Sequence, residues 1–191
     1  MPGGVPRRIA EGERIYLQEL SLPDASYLAA AFQAETEGDG LRLHDVDLRH
    51  LEAYVEQAYA YYGYGLWGVY LRGDDQEAHP IGICGVDLVH LPEIGTCHEL
   101  GYALLPQFRG HGYMAEALRL VIAEAFRRDG DVGAEKIIAR IAPDNHRSIR
   151  TAIRAGLVQC GTTSRKSHKN GLVNEEMYAI INGNENHMHD S

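Results

Sequence analysis

Cysteine is scarce in this sequence: three residues, Cys84, Cys97 and Cys160, in a chain of 191, with no Cys-x-x-Cys pair. That excludes a disulfide framework and the usual zinc frameworks, and it points to a reducing compartment. Long apolar runs are also missing. Nowhere do 18 apolar residues follow one another, so no membrane-spanning helix is expected. The opening Met1-Pro2-Gly3-Gly4-Val5-Pro6-Arg7-Arg8 lacks the apolar stretch of a secretory signal. Positive charge is in deficit, with 18 Lys+Arg against 27 Asp+Glu and a formal charge of −9. Sequence-independent nucleic-acid binding depends on Lys and Arg neutralising phosphates, so no nucleic-acid partner is expected. The expectation is a cytoplasmic protein without membrane contacts, whose acidic surplus leans toward a cationic or amine partner. No Gly-Lys-Ser/Thr occurs, which excludes a Walker-type phosphate loop. His187 and His189 in the tail are too few to make a metal site, and no metal is expected.

What is present is ordinary globular material, 45% hydrophobic, enough for one well-formed core. No repeat or linker breaks the chain, which suggests one domain over residues 12–182, with flexible termini at 1–11 and 183–191. Arg14–Leu20 reads as a strand. Ser21 or Asp24 can cap a helix running to about Gln33. Asp45 is expected to open a second helix, with Leu48, Leu51, Val55, Ala58 and Tyr62 on one face. Strands follow at Leu66–Leu71, Ile81–Val89 and His98–Leu105. A strong amphipathic helix runs from Tyr113 to about Arg128, with Met114, Ala117, Leu118, Val121, Ile122 and Ala125 on its apolar stripe. Then come a strand at Lys136–Ala142, a helix from His146 to Ala155 stopped by Gly156, and strands at Leu157–Thr163 and Glu176–Ile181. Strands in succession followed by interleaved helices imply an α+β fold. Its central sheet is mixed and mostly antiparallel, with helices on both faces.

The most informative stretch is Glu99-Leu100-Gly101-Tyr102-Ala103-Leu104-Leu105-Pro106-Gln107-Phe108-Arg109-Gly110-His111-Gly112-Tyr113-Met114-Ala115-Glu116. It reads as strand, glycine turn, helix. First-turn N–H groups have no partner inside a helix, and the helix dipole makes that end positive. Gly110 and Gly112 let a ligand approach the backbone, so the turn suits a phosphate. Gly110 to Ala115 also fits the dinucleotide pattern G-x-G-x-x-G/A. Four residues separate the strand from the first glycine, however, and Asp144 lies beyond the usual offset of about 20 residues for a ribose-binding acid. A helix that merely begins with glycines is the plain alternative.

Gln107-Phe108-Arg109-Gly110-His111-Gly112 resembles the Q/R-x-x-G-x-G/A motif of the GNAT (GCN5-related) N-acetyltransferases. Asn145-His146-Arg147-Ser148 with Ala155-Gly156-Leu157 resembles the family's N-x-x-S/A segment and its "-lGF" end. Gly82-Ile83-Cys84-Gly85, Glu99-Leu100-Gly101-Tyr102 and Arg14-Ile15-Tyr16-Leu17 are similar to the strands of its ribosomal-protein N-terminal acetyltransferase branch. The resemblance covers about residues 12–182 and implies the acyl-CoA N-acyltransferase fold. It also implies acetyl-CoA as co-substrate, with the pyrophosphate on the N–H groups of about Phe108 to Tyr113. The coenzyme-binding residues it implies are Leu104, Leu105, Gln107, Phe108, Arg109, Gly110, His111, Gly112, Tyr113, Asn145 and Ser148. It further implies transfer of the acetyl group to a primary amine by direct attack.

In several family members a glutamate at the position of Glu99 acts as base through water, and Glu99 is the candidate here. His98, next along the strand, is expected on the opposite face. Many members carry a tyrosine, the proton donor to sulfur, four residues before the glycine that Gly156 matches; Ala152 stands there in this chain. Ser148 is the nearest hydroxyl left as donor. By resemblance Asn145 hydrogen-bonds the pantetheine arm or braces the strand splay, and Arg109, Arg147 and Arg150 are within reach of CoA phosphates. Glu116, in the helix's first turn, suits the dipole for structural reasons alone. The cysteines read as core. Tyr54, Tyr59, Tyr61, Tyr62, Tyr64 and Trp67 either pack a helix on the sheet or line the acceptor cleft. Two acceptors stay open, a protein N-terminal α-amine and a small-molecule amine, and so does a homodimer. A CoA-binding regulator or scaffold without turnover is the alternative from another functional class.

Overall fold

The computed structural model describes residues 5–35, 42–43, 46–47, 51–53, 55, 65–73, 79–92, 94–127, 134–167 and 171–183. In chain order they form β1 (Arg8–Glu11), β2 (Ile15–Gln18), α1 (Leu22–Glu35), β3 (Arg42–Leu43), β4 (Val46–Asp47), β5 (Leu66–Leu71), β6 (Gly82–Leu91) and β7 (Gly95–Leu104). After a short 3-10 turn (Pro106–Phe108) come α2 (Tyr113–Arg127), β8 (Lys136–Ile141), α3 (His146–Arg154), β9 (Val158–Ser167) and β10 (Gly171–Ile181). Eight strands make one sheet in the order β1-β2-β5-β6-β7-β8-β10-β9, and β3 pairs with β4. The β7–β8 pair is parallel, whereas β1–β2, β2–β5, β5–β6, β8–β10 and β9–β10 are antiparallel. A parallel pair needs a long crossover, and α2 lies within it. The mixed, mostly antiparallel α+β sheet read from the sequence is the one found.

The chain divides into two compact units, Met1–Asp87 with Leu100–Val121 and Leu88–Glu99 with Ile122–Ser191. In the first, five of the six β5 residues are buried, as expected of an interior strand covered on both faces. Ala25, Leu28, Ala29 and Phe32 of α1, spaced by three and four, pack with Leu20, Leu51, Val55, Leu66, Ile83, Ala103 and Leu105. Ser21 is the cap of α1: its Oγ accepts from the Asp24 N–H at 3.2 Å and donates to Asp24 Oδ2 at 2.6 Å. Every residue of the α2 stripe expected from the sequence is buried, on both sides of the unit boundary at Val121.

In the second unit Leu91, Cys97, Ile138 and Met177 form an apolar stripe. Helix α3 ends in a Schellman motif. Gly156, at φ +105°, donates to Ile153 O, and Leu157 donates to Ala152 O at 3.1 Å.

Three expectations need correction. Residues 8–11, read as loose, form β1 against β2, with Arg8 stacked over the Tyr16 ring at 3.4 Å. The helix expected from Asp45 does not begin there: Val46 and Asp47 are extended in β4, the backbone a β-branched Val prefers. Residues 51–53 and 55 are helical, with Leu51 and Val55 buried. Leu48, Ala58, Tyr54, Tyr59, Tyr61, Tyr62 and Tyr64 lie outside the described residues, while Trp67 is core at 1% exposure. Third, β9 and β10 are far longer than read, because β9 is an edge strand whose end, Ser164-Arg165-Lys166-Ser167, is wholly polar and shows no strand period. Cys160, expected in the core, is exposed on that edge. Among the described residues no helix is long and apolar enough to cross a membrane, and no group of three metal-ligating side chains occurs.

Candidate functional site

In the first unit the end of β7 runs into the glycine turn and then α2. Leu105 is 1% exposed; its N–H donates to Ile81 O at 3.0 Å, and its carbonyl accepts from Phe108 N–H at 3.0 Å. Phe108 leans on the apolar cluster below. Arg109 N–H donates to Pro106 O, and its Nε donates to Leu104 O at 2.8 Å. The turn is therefore tied back to the strand at two points. The amides of Phe108 and Arg109, expected to face a phosphate, are engaged inside the turn.

Gly110 at φ +84° and Gly112 at φ +82° occupy the left-handed region that side chains resist. Glu116 N–H donates to Gly112 O, so Gly112 is the last residue before the helix proper. His111 is exposed, and its ring stacks on Tyr113 with centroids 5.5 Å apart. Gln107 is exposed as well.

Sequence reasoning missed what holds this turn from the other side. Arg14, just before β2, donates its own N–H to Glu116 Oε1 at 2.8 Å and its Nε to Oε2 at 2.9 Å. Its Nη1 donates to His111 O at 2.9 Å, and its guanidinium lies 5.1 Å over the Tyr113 ring. Gly12 permits the approach, because a Cβ there would stand 2.5 Å from Glu116 Oε1. Both residues were visible in the sequence; their meeting across 102 positions was not.

Burial pushes the Glu116 carboxyl up, but the backbone and side-chain hydrogen bonds and the charge of Arg14, with the Ile15 N–H, outweigh it. The carboxyl sits below its ordinary value of 4.5. A carboxyl lowered by folding stabilises the protein above its unfolded value, and the contribution disappears as pH falls through the folded value. The Tm of the parent should therefore fall as pH drops below 4.5, and Glu116→Gln should flatten that limb of the Tm–pH profile. Superimposable profiles would show that the pair contributes nothing there.

In the second unit Glu99 is 6% exposed, and both its carboxylate oxygens accept from Arg140, Nε and Nη2, at 2.8 Å each. Arg140 Nη1 lies 3.9 Å from Glu175 Oε2, and Glu175 is also buried. The ladders explain the grouping: Glu99 pairs with Ile138, Arg140 with Met177, and Glu175 lies two positions before Met177. Period-two alternation puts all of them on one sheet face, at the end of the Cys97–Ile138–Met177 stripe. The hydrogen bonds that Arg140 donates to Glu99 raise Arg140 above its ordinary range, against the opposing effect of burial.

Asn145 caps α3, its Oδ1 accepting from Ser148 N–H at 3.1 Å. Its side-chain oxygen thus has a local task that the N-x-x-S spacing itself encodes. Arg147 and Arg150 are exposed on the same helix, and Ala152 is fully buried. Burial pushes the Cys84 and Cys97 thiols up, which argues against either as a nucleophile.

Residues 14–158 match the model of a family described as an acetyltransferase (GNAT) domain. Among solved structures, a GNAT-family acetyltransferase from Bacillus anthracis matches with a TM-score of 0.68 at 20% identity, over 92% of this chain and 98% of that one. A ribosomal-protein-S5-alanine acetyltransferase from Vibrio fischeri matches at 0.68 with 19% identity, over 95% and 98%. The ribosomal L7/L12 alpha-N-protein acetyltransferase RimL, solved with coenzyme A, matches at 0.67 with 14% identity, over 92% and 98%. At such identities the likeness is one of fold.

Proposed function

The chain belongs to the GNAT acetyltransferase family, and on that premise we propose that it transfers an acetyl group from acetyl-CoA to a primary amine by direct attack. The observation that carries the reading is the turn with two left-handed glycines at the mouth of α2. We assign the pyrophosphate to the N–H groups from Gly110 to Tyr113, since those of Phe108 and Arg109 are engaged within the turn. Gln107, Phe108 and Arg109 shape its rim. Leu104 and Leu105 would flank the pantetheine arm, with Asn145 and Ser148 as further contacts.

In the reaction the neutral amine nitrogen bonds to the thioester carbon, and the carbon–sulfur bond breaks. The departing sulfur takes up a proton, and the new ammonium loses one. Glu99 is the assigned acceptor of the ammonium proton, through water, and Ser148 the assigned donor to sulfur. The raised thiols of Cys84 and Cys97 support direct attack over an acyl-cysteine route.

An α-amine must shed its proton at a cost of about 1.4 kcal/mol at neutral pH, a lysine-type amine about 4.6 kcal/mol. A carboxylate already engaged by Arg140 suits the lighter task, so a protein N-terminal α-amine is the favoured acceptor. The ribosomal-protein acetyltransferases among the structural matches support the same choice.

Acetyl-CoA at a hundredfold excess over its Kd should stabilise the protein by about 2.7 kcal/mol. That is roughly 5–11 °C in Tm for a chain of this size, and NAD should give no shift. A shift with NAD alone would overturn the reading. With a panel of peptides and small amines, free thiol should appear only when the accepted amine is present. Stabilisation without thiol release for any amine would instead favour a CoA-binding regulator.

A further inference from the structure

We propose that Arg14 is a positioning residue for coenzyme binding: anchored on Glu116, it draws in the His111 carbonyl and so turns the Gly112 N–H outward toward the diphosphate. The inference rests on the function proposed above and deepens it.

In a planar trans peptide the C=O and the next N–H point in opposite directions. The C=O of His111 accepts from Arg14 Nη1 at 2.9 Å, so the Gly112 N–H in the same plane faces away from Arg14. This plane joins His111 to Gly112, and Gly112, at φ +82°, is a hinge that resists rotation least of all residues. Left alone, the plane has two accessible orientations, and only one aims the donor at an anion. The Arg14 bond selects that one before the ligand arrives, which lowers the ordering cost of binding.

Arg14 can do this because it is itself held. Its main-chain N–H and its Nε both reach the Glu116 carboxylate, whose side chain is only 10% exposed. The preceding turn is pinned as well: Gly12 N–H donates to Ile15 O, and Arg72 Nη1 donates to Gly12 O at 2.6 Å. Arg14 Nη2 lies 3.5 Å from the place a Cβ on Gly112 would take, so the guanidinium covers the inner side of the plane.

A merely cationic role for Arg14 would survive replacement by lysine. A positioning role would not, because an ammonium cannot bond Glu116 and His111 O in the same planar geometry. The full chain would be titrated calorimetrically with acetyl-CoA and, separately, with an acetyl-pantetheine thioester that lacks the diphosphate. Arg14→Lys should weaken acetyl-CoA binding about tenfold to a hundredfold, and Glu116→Gln by a smaller factor. Neither substitution should change the affinity for the short thioester.

In the unaltered protein, the Gly112 amide resonance should move downfield on addition of acetyl-CoA; in folded Arg14→Lys that movement should shrink. An unmoved Gly112 resonance in the parent overturns the proposal whether or not the variants fold. So does parental affinity in Arg14→Lys, or an equal loss toward both thioesters. If the parent itself does not bind acetyl-CoA, it is the acetyltransferase reading that fails.

Discussion

Gly112→Val should raise the Kd for acetyl-CoA by a hundredfold or more while the protein stays folded. Simple crowding is not the cause. A Cβ at position 112 would meet only Arg14 Nη2, at 3.5 Å, an ordinary contact. The obstacle is the backbone. Gly112 sits at φ +82°, and a β-branched residue there costs on the order of 1–3 kcal/mol. The cheapest relief is to rotate out of the left-handed region, which swings the 111–112 peptide plane and breaks the His111 O bond to Arg14. The donor array then loses its aim, although the core beneath, with Leu105 at 1% exposure, is untouched.

Gly110→Ala is the internal control. Gly110 has φ +84°, and a Cβ added there would meet nothing within 4 Å, so alanine brings strain of about 1–2 kcal/mol without a β-branch or a new neighbour. It should weaken binding clearly less than Gly112→Val. Calorimetric titration beside a thermal scan separates the two effects. A folded Gly112→Val that binds like the parent would remove the diphosphate from this turn.

Why some of this was legible in the sequence and some was not has physical reasons. The α2 stripe from Met114 to Ala125 repeats at helical spacing, and its glycine-rich start is local chemistry, so helix and turn could be read together. The Gly156 stop is local too, and so is the Asn145 cap, although the family resemblance assigns that side chain to the pantetheine arm or the strand splay. Long-range pairing leaves no such trace. Arg14 and Glu116 lie 102 positions apart, and nothing at either position names the other. Glu99 was legible as a candidate base, but its partner Arg140 stands 41 positions on, in a strand whose sequence does not point back to it. Edge strands mislead in another way. The end of β9, Ser164-Arg165-Lys166-Ser167, carries no apolar alternation and reads as loop, and Cys160 reads as core although the edge leaves it exposed. β1 was hidden for a similar reason: half of its four residues are charged and exposed.

The Glu99–Arg140 pair should divide stability from activity. Arg140→Ala leaves two buried carboxylates, Glu99 and Glu175, facing each other's charge without the guanidinium. Removing one partner of a buried pair typically costs about 3–5 kcal/mol, roughly 6–20 °C in Tm at this chain length.

Glu99→Gln removes the charge with little change in size and leaves Arg140 with Glu175, so its loss of stability should be smaller. Its loss of transfer rate should be about a hundredfold or more, the usual worth of a general base. Rates measured at matched fractions folded keep the two readouts apart. Full activity in Glu99→Gln would shift the proton-accepting role to solvent and leave the pair as a strut between β7 and β8. A Tm for Arg140→Ala equal to that of the parent at neutral pH would mean that water reaches the carboxylates. The guanidinium would then not be what keeps Glu99 in place for the chemistry.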